Sequence, residues 1–420
     1  MLALTPLLLL AACQGGGAQQ AEPDPEQSAR IAVVPGDGTE AWRPDKPVRI
    51  QAAGGRLTNV SVRTAEGTKV RGDFDDRRST WVSRWTLKPD TKYKVRASAV
   101  SPEGRRTTER TSFATLEPAS TIDITSVNAA GGDTYGVGIP IVLTFDKPVY
   151  NKEWVERALE LRTSEPIVGA WRWTSRQELH FRPKKYWPTG TKARLVAHFD
   201  GVRAAKDVYG VGNVDARFEI GDKRITKINT KTYRMKVYEN GDLIRTFAQS
   251  AGRPGYPTTS GTHVVFARDP LVIMDSATVG IPKGDPEYYR LKVKWTVKFS
   301  FSGLYTHSAP WSVGSQGSAN VSHGCINMRP DQAKWYYGRS RVGDLIKITG
   351  TPRDLEWGNG WTDWDIPFDE YLEGSTTGEP VEALTLRGKP RSEGSPAASP
   401  TASPTTSPGT PNPTGSSPSP

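Results

Sequence analysis

Thr306 to Met328 reads THSAPWSVGSQGSANVSHGCINM. Two of the chain's five histidines, His307 and His323, fall inside it together with Cys325, one of only two cysteines in 420 residues. A thiol with two imidazoles in reach suits nucleophilic catalysis. Free cysteine has a pKa of about 8.5, and a neighbouring imidazole can take its proton. His323 is two positions from Cys325 and would share its face on an extended strand. His307 lies 18 positions upstream, on a separate element, and reaches the thiol only through the fold. Spacing does not choose between the two bases. Gly324 and the amides around Cys325 are candidate donors for a developing oxyanion. Zinc is the competing use of these residues, but it takes three or four ligands at characteristic spacings that this stretch does not match. We expect no metal and no cofactor.

The flanking sequence, residues 223–350, alternates with the period of strands. YRMKVYENGDLIRTF places Asn240-Gly241 between two alternating runs, a strong hairpin signal, and RLKVKWTVKFSFSG alternates from Leu291 to Phe301. RPDQAKWYYGR predicts one short helix with Pro330 and Asp331 at its start and Gly338 as its stop, and GDLIKITG predicts a closing strand.

Further out, two blocks repeat one logic. Residues 30–117 hold VRIQA, LTNVSVRT, WVSRWTL, YKVRASAV and TSFATL; residues 118–222 hold IPIVLTF, ALELRT, GAWRWTS, ELHFRP and KARLVAHF. In each, a Trp-bearing strand leads through an apolar-x-Pro and a Thr-containing turn to another alternating strand, so two copies of an Ig-like sandwich are predicted. Composition agrees: 36% hydrophobic, 41 Gly and 33 Pro describe many short strands and turns. The expected fold is mainly β, with two Ig-like β-sandwich domains, a β-rich third domain carrying one or more short helices, and a small Trp-rich C-terminal subdomain over residues 351–374.

The ends carry other signals. MLALTPLLLLAAC has an apolar run too short to span a bilayer, so residues 1–12 read as a secretory signal and residues 13–29, rich in Gly, Gln, Glu and Pro, as a flexible tether. Trp357, Trp361 and Trp364 are expected to pack on the third domain rather than bind sugar rings. Residues 375–420 turn to Ser, Thr, Pro and Gly and are expected to be disordered. The net charge of +10 is spread along the chain. That suits an anionic matrix or membrane surface, and without a recognition motif it argues against nucleic acid.

His307-Ser308, a loop, and then Ser322-His323-Gly324-Cys325-Ile326-Asn327 together resemble the active-site signature of the YkuD-family L,D-transpeptidases, bacterial enzymes that cross-link peptidoglycan. SAGRPGYPTTSG, from Ser250 to Gly261, resembles that family's glycine and proline hairpin. Met274-Asp275-Ser276, Ser308-Ala309-Pro310-Trp311, the Trp-rich segment and the two preceding Ig-like domains are similar to its actinobacterial branch. Leu10-Ala11-Ala12-Cys13 resembles a lipoprotein box, which would acylate Cys13 and leave Cys325 the only free thiol of the exported chain.

The resemblance implies that Cys325 attacks the bond between a stem-peptide diamino acid and a terminal D-Ala. His307 would be its base, oriented by the backbone carbonyl of Ser308. The acyl group would pass to the amine of a neighbouring stem, giving a 3→3 cross-link. Tyr289, Trp311, Ser322, His323, Gly324, Asn327 and Met274 would form the substrate and oxyanion pocket. Val279 stands where related enzymes carry a second pocket tyrosine. The implied partners are donor and acceptor stem peptides, the membrane through the lipid on Cys13, and carbapenem-type β-lactams as covalent inhibitors. The implied location is the outer face of the cytoplasmic membrane, reaching into the wall. Two other readings are an L,D-carboxypeptidase that uses water as acceptor and a non-catalytic wall-binding lipoprotein.

Overall fold

Along Lys92–Val100 every second side chain, Tyr93, Val95, Ala97 and Ala99, is buried, and that alternation builds the first sandwich. The protein is described by a computed structural model covering residues 28–391. The signal, nearly all of the tether with Cys13, and the tail beyond Arg391 lie outside the described residues. Two four-stranded sheets enclose Val48, Ile50, Leu57, Trp81, Tyr93 and Phe113. Ala29 is buried in that core, so the sandwich takes in the last residue expected in the tether.

The second sandwich is larger, with two five-stranded sheets and a three-stranded one around Trp171, Phe181, Trp187, Phe199 and Phe218. The indole of Trp187 donates to the Ile139 carbonyl at 2.8 Å, so its burial leaves no orphan donor. A helix at Lys152–Arg157 was not expected; at six residues it is too short to show a helical period. The two sandwiches meet where Trp85 stacks on His198 at 3.8 Å and the Thr86 hydroxyl donates to the Asp200 carbonyl.

In the third domain, strands β1 (Arg224–Asn229), β2 (Arg234–Glu239) and β3 (Asp242–Ala248) form a meander. Asn240 and Gly241 both adopt positive φ, 53° and 105°, as a two-residue hairpin turn demands. β4 (Gly261–Val264), β5 (Ala267–Asp275), β6 (Arg290–Lys298), β7 (Tyr305–Ser308) and β8 (Ile326–Met328) follow, then helix α1 (Pro330–Arg339) and β9 (Leu345–Thr349). One sheet runs β3-β2-β1-β9-β4 and the other β5-β6-β7-β8. Both sheets and α1 share a core of Met235, Val237, Phe247, Val297, Ile326, Met328, Tyr336 and Ile346. Gly338 is not a stop: α1 continues through it to Arg339 and ends at Ser340 in extended backbone.

No linker separates the second and third domains. Gly136 and Gly138 donate backbone bonds to Val342 and Gly343, and Val264 and Leu345 belong to the second domain's core. A Cβ at Gly136 would lie 2.3 Å from the Asp344 nitrogen, so only glycine allows this approach.

The C-terminal segment corrects two expectations. Trp361 and Trp364 pack against the core of the second domain rather than mainly on the third, and Trp357 lies beside Arg172, also of the second domain. Trp361 also reaches the third domain, at Phe266. The expected disorder from residue 375 is overturned as far as Arg391. Val381–Glu382 and Leu384–Thr385 add an edge strand to each five-stranded sheet of the second domain, pairing with Val168–Trp173 and Leu159–Thr163. Composition missed this because two-residue strands gain their stability from a pre-existing edge, which local sequence does not report.

Three anchors hold this strap. The buried Glu156 carboxylate accepts from the Trp173 indole, the Ser375 hydroxyl and the Thr376 amide and hydroxyl. Arg391 donates to the carbonyls of Thr163 and Glu165. His180, 7% exposed, lies between Asp363 at 2.8 Å and Glu178 at 2.9 Å, and Asp363 also accepts from the Tyr371 hydroxyl. Burial would push the His180 imidazole down, but Asp363 and Glu178 outweigh it and raise its pKa to about 9.

The stabilisation from His180 is therefore complete below its unfolded pKa of about 6.5 and is lost as pH rises through about 9. His180→Gln, which breaks the pair with Asp363, should cost about 3–5 kcal/mol near neutral pH. Thermal unfolding of wild type and variant should differ most at the acid end of that window and converge towards its alkaline end. A gap that stays constant across it would contradict this assignment.

Candidate active site

β7 and β8 pair in parallel with His307 opposite Asn327 and Thr306 opposite Ile326. Because side chains alternate, His307 and Asn327 share a face while Ile326 and Met328 point into the core. Cys325 precedes β8 by one residue and joins the face of Asn327. Two segments 18 positions apart are thereby brought together. They line a cleft of about 210 Å³ with Met274, Tyr289, Leu291, Val293, Trp311, Val321, Ser322 and His323.

His307 is buried, and its Nδ1 lies 3.0 Å from the Ser308 carbonyl. A carbonyl only accepts, so Nδ1 carries the proton and Nε2 is left as a base. Trp311, 55% exposed, stacks at 6.0 Å from the His307 ring. Burial pushes the His307 pKa down to about 4, against the Ser308 bond, which raises it. Burial likewise pushes the Cys325 thiol up to about 11. Both shifts favour the uncharged forms, so the resting pair is a thiol and a neutral imidazole across the physiological range. The thiol donates weakly to the Gly303 carbonyl at 3.6 Å.

The loop before Cys325 is held on every side. Gly324 adopts φ +118°, which L side chains rarely take, and a Cβ there would meet Leu304 at 2.8 Å. Ser322 Oγ donates to the Cys325 carbonyl at 2.6 Å and accepts from the Gly324 amide at 3.0 Å. Thr258 Oγ1 donates to the Gly324 carbonyl at 2.6 Å and accepts from the Gly252 amide. The Gly324 amide, a candidate oxyanion donor from sequence, is therefore already used. The amides of His323 and Cys325 have no acceptor among the described residues. Asn327 donates from its side chain to Ser312 Oγ at 3.0 Å and exchanges backbone bonds with Ser250.

His323 does not extend as a strand beside Cys325, because Gly324 turns the chain between them. Its ring lies between Tyr256 at 4.7 Å and Tyr289 at 5.0 Å, and its Nε2 meets Glu287 Oε2 at 2.9 Å. Arg253 pairs with the same carboxylate, and His323 and Arg253 together hold Glu287 below the usual carboxylate range. Burial and the neighbouring Cys325 push Tyr289 up to about 12, so it stays a neutral phenol. Val279 is exposed on the rim near Gly303.

Ser308 lies behind His307 and Gly324 beneath the loop; the other sequence-predicted pocket residues line the cleft itself. Four neighbours were not singled out from sequence. Arg253, Tyr256 and Thr258 sit in the glycine and proline hairpin, whose pattern marked the segment without assigning roles. Glu287 stands in a loop with no periodic signal.

A family model for the bacterial Ig domain matches residues 39–203, spanning both sandwiches, and one for the L,D-transpeptidase catalytic domain matches residues 223–348. The chain is 33% identical to L,D-transpeptidase 2 of Mycobacterium tuberculosis over 340 residues, covering 81% of this chain and 83% of that protein. It is 37% identical to L,D-transpeptidase 1 of the same species over 227 residues, covering 54% and 85%. The solved structure of LD transpeptidase LdtMt1 in complex with imipenem is 36% identical, covers 56% of this chain and 100% of its own, and superposes with a TM-score of 0.48.

A neutral resting pair has a direct signature in the ultraviolet absorbance of thiolate, taken as the difference between wild type and Cys325→Ser. No thiolate should form at neutral pH, and the rise should centre near pH 11. A thiolate signal at neutral pH would mean that a charged pair is present at rest.

Proposed function

The chain belongs to the YkuD-type L,D-transpeptidases, enzymes acting on peptidoglycan, and from that premise we propose that Cys325 is its acyl-transfer nucleophile and His307 its general base. The observation that carries this reading is the Nδ1 bond of His307 to the Ser308 carbonyl, which leaves Nε2 unprotonated on the face shared with Cys325.

In the acylation step the sulfur attacks the carbonyl joining a stem diamino acid to its terminal D-Ala, while the thiol proton passes to His307 Nε2. The negative charge that develops on the carbonyl oxygen is met by the free amides of His323 and Cys325. One such donor is worth about 10²- to 10³-fold in rate. The tetrahedral intermediate collapses as the proton moves from His307 to the departing D-Ala amine, leaving a thioester. The amine of a second stem then attacks, yields a proton to His307, and displaces the sulfur, which takes the proton back. The product is a 3→3 cross-link.

The neutral pair fits this sequence. An imidazole with a pKa of about 4 is deprotonated and ready at neutral pH. A thiol with a pKa of about 11 gives up its proton as the sulfur–carbon bond forms rather than beforehand. Tyr289, Trp311 and Met274 wall the cleft, and a bound donor seated against them would shield the thioester from water and favour an amine acceptor over hydrolysis. The same cleft is proposed to accept carbapenem-type β-lactams, whose strained carbonyl would acylate Cys325. Beyond the catalytic domain, the proposal includes lipid attachment at Cys13, a location outside the cytoplasmic membrane, and the two sandwiches as a stalk into the wall.

Incubation of purified protein with defined stem tetrapeptides, read by mass spectrometry, tests the reading. Cross-linked dimer with loss of D-Ala is expected, and Cys325→Ala should abolish it. Tripeptide alone would indicate water as acceptor, and no turnover would leave a wall-binding role. For acylation by a carbapenem, His307→Ala should slow the rate about 10²- to 10⁴-fold. His323→Ala should act through loop geometry and cost less. Equal and complete loss from both, with folding intact, would contradict the assignment of the base.

A further inference from the structure

The carbonyl that receives the Cys325 thiol belongs to Gly303, the last residue of a tight turn between β6 and β7. Gly303 adopts φ +86° and its amide donates to the Ser300 carbonyl. The residue that holds this turn comes from outside the catalytic sheets. Asn359, in the C-terminal segment, accepts at Oδ1 from the Ser300 hydroxyl and the Ser302 amide, both at 2.9 Å. Its Nδ2 donates to Ser302 Oγ at 3.0 Å, and the two serine oxygens lie 2.6 Å apart. The amide of Ser302 can only donate, which fixes the orientation of the Asn359 side chain.

With that orientation only one closed circuit is consistent. Asn359 Nδ2–H donates to Ser302 Oγ, whose proton goes to Ser300 Oγ, whose proton returns to Asn359 Oδ1. Closed rings of this kind strengthen each member, and Ser300 is fully buried. The backbone is close as well. Gly360 adopts φ +112°, and a Cβ there would lie 2.9 Å from the Phe299 carbonyl. Asp363, further along the same segment, is locked to His180 of the second domain.

We propose that Asn359 is a positioning residue for the nucleophile: by closing a hydrogen-bond ring on the Ser300–Ser302 turn, it fixes the Gly303 carbonyl and with it the rotamer in which Cys325 waits. The proposal rests on the reading of Cys325 as nucleophile. It deepens that reading by making the thiol's geometry depend on a segment anchored to the Ig-like domain. A carbonyl oxygen beside the sulfur favours S–H over S⁻ and restrains the side chain. Releasing the turn should therefore make the sulfur freer but worse aimed.

Two reagents separate these effects, applied to the full chain with modification of the Cys325 peptide followed by mass spectrometry. A carbapenem requires the aimed geometry, and Asn359→Ala should lower its acylation rate about tenfold or more, since a misplacement of about 1 Å costs up to about 10²-fold. Iodoacetamide requires only an accessible sulfur, and the same variant should be alkylated about twofold faster or more as the thiol loses its acceptor. Asn359→Asp keeps the acceptor for the Ser300 hydroxyl and the Ser302 amide, and its second carboxylate oxygen can accept from Ser302 Oγ in place of the lost Nδ2–H donor, so the turn stays held by the same three groups and both reactions should stay near wild type. Opposite shifts in Asn359→Ala with rescue in Asn359→Asp support the proposal. It is overturned if Asn359→Ala matches wild type in both reactions, or if both rates fall together with the folded fraction measured by circular dichroism. If the carbapenem acylates no variant while alkylation still responds, the positioning role stands and the functional reading fails.

Discussion

The parallel pairing of β7 with β8 is the constraint on which the site depends. It places His307 opposite Asn327 and sets Cys325 on the same face, although the segments are separated by a loop that contains Pro310 and Trp311. A one-residue slip of β8 would turn Ile326 and Met328 into the cleft and Cys325 and Asn327 into the core, exposing apolar side chains and separating the thiol from His307. Ile326 and Met328, fully buried beneath the pair, make that slip costly. The register of two short strands is thus held by hydrophobic burial on one face so that chemistry can occupy the other.

Burial on the catalytic face has an electrostatic consequence. Both His307 and Cys325 are shifted towards their neutral forms, because the surroundings that exclude water also withdraw solvation from charge. In the proposed role of nucleophile, such a thiol is quiet at rest and becomes reactive only when a carbonyl is placed to receive the electron pair as the proton leaves. At the proposed location outside the cytoplasm, where disulfides and oxidation are hazards, such quiescence would protect the thiol.

Much of this was legible in the sequence, for identifiable reasons. Strand alternation announced the sandwiches, as at Tyr93, Val95, Ala97 and Ala99, and Asn240-Gly241 announced a hairpin, because each signal is local. Cys325 stood out by rarity, but the choice of His307 over His323 came from family resemblance. The geometry supports the proposed choice: the Gly324 turn carries His323 to Glu287, Tyr256 and Tyr289, while the Nδ1 bond of His307 to Ser308 leaves its Nε2 unprotonated. What stayed illegible was mostly non-local. The C-terminal segment docks on the second domain through His180, Glu156 and two brief edge strands, and it leaves no periodic trace because each partner is far away in sequence. The Gly324 amide is consumed by Ser322 only two residues away, but a hydroxyl's direction is set by the folded loop and not by periodicity. Gly338 shows the opposite error, a local stop signal overridden by the packing of Tyr336 in the shared core.

The central claim is that one thiol, one imidazole and two unengaged amides act on a single carbonyl. The most direct measurement is a crystal structure of the acyl-enzyme trapped with a carbapenem. A thioester on Cys325 is expected, its carbonyl oxygen within about 2.7–3.1 Å of the His323 and Cys325 amide nitrogens, with His307 Nδ1 still on the Ser308 carbonyl. A thioester oxygen turned away from both amides, or an adduct on any other residue, would contradict it.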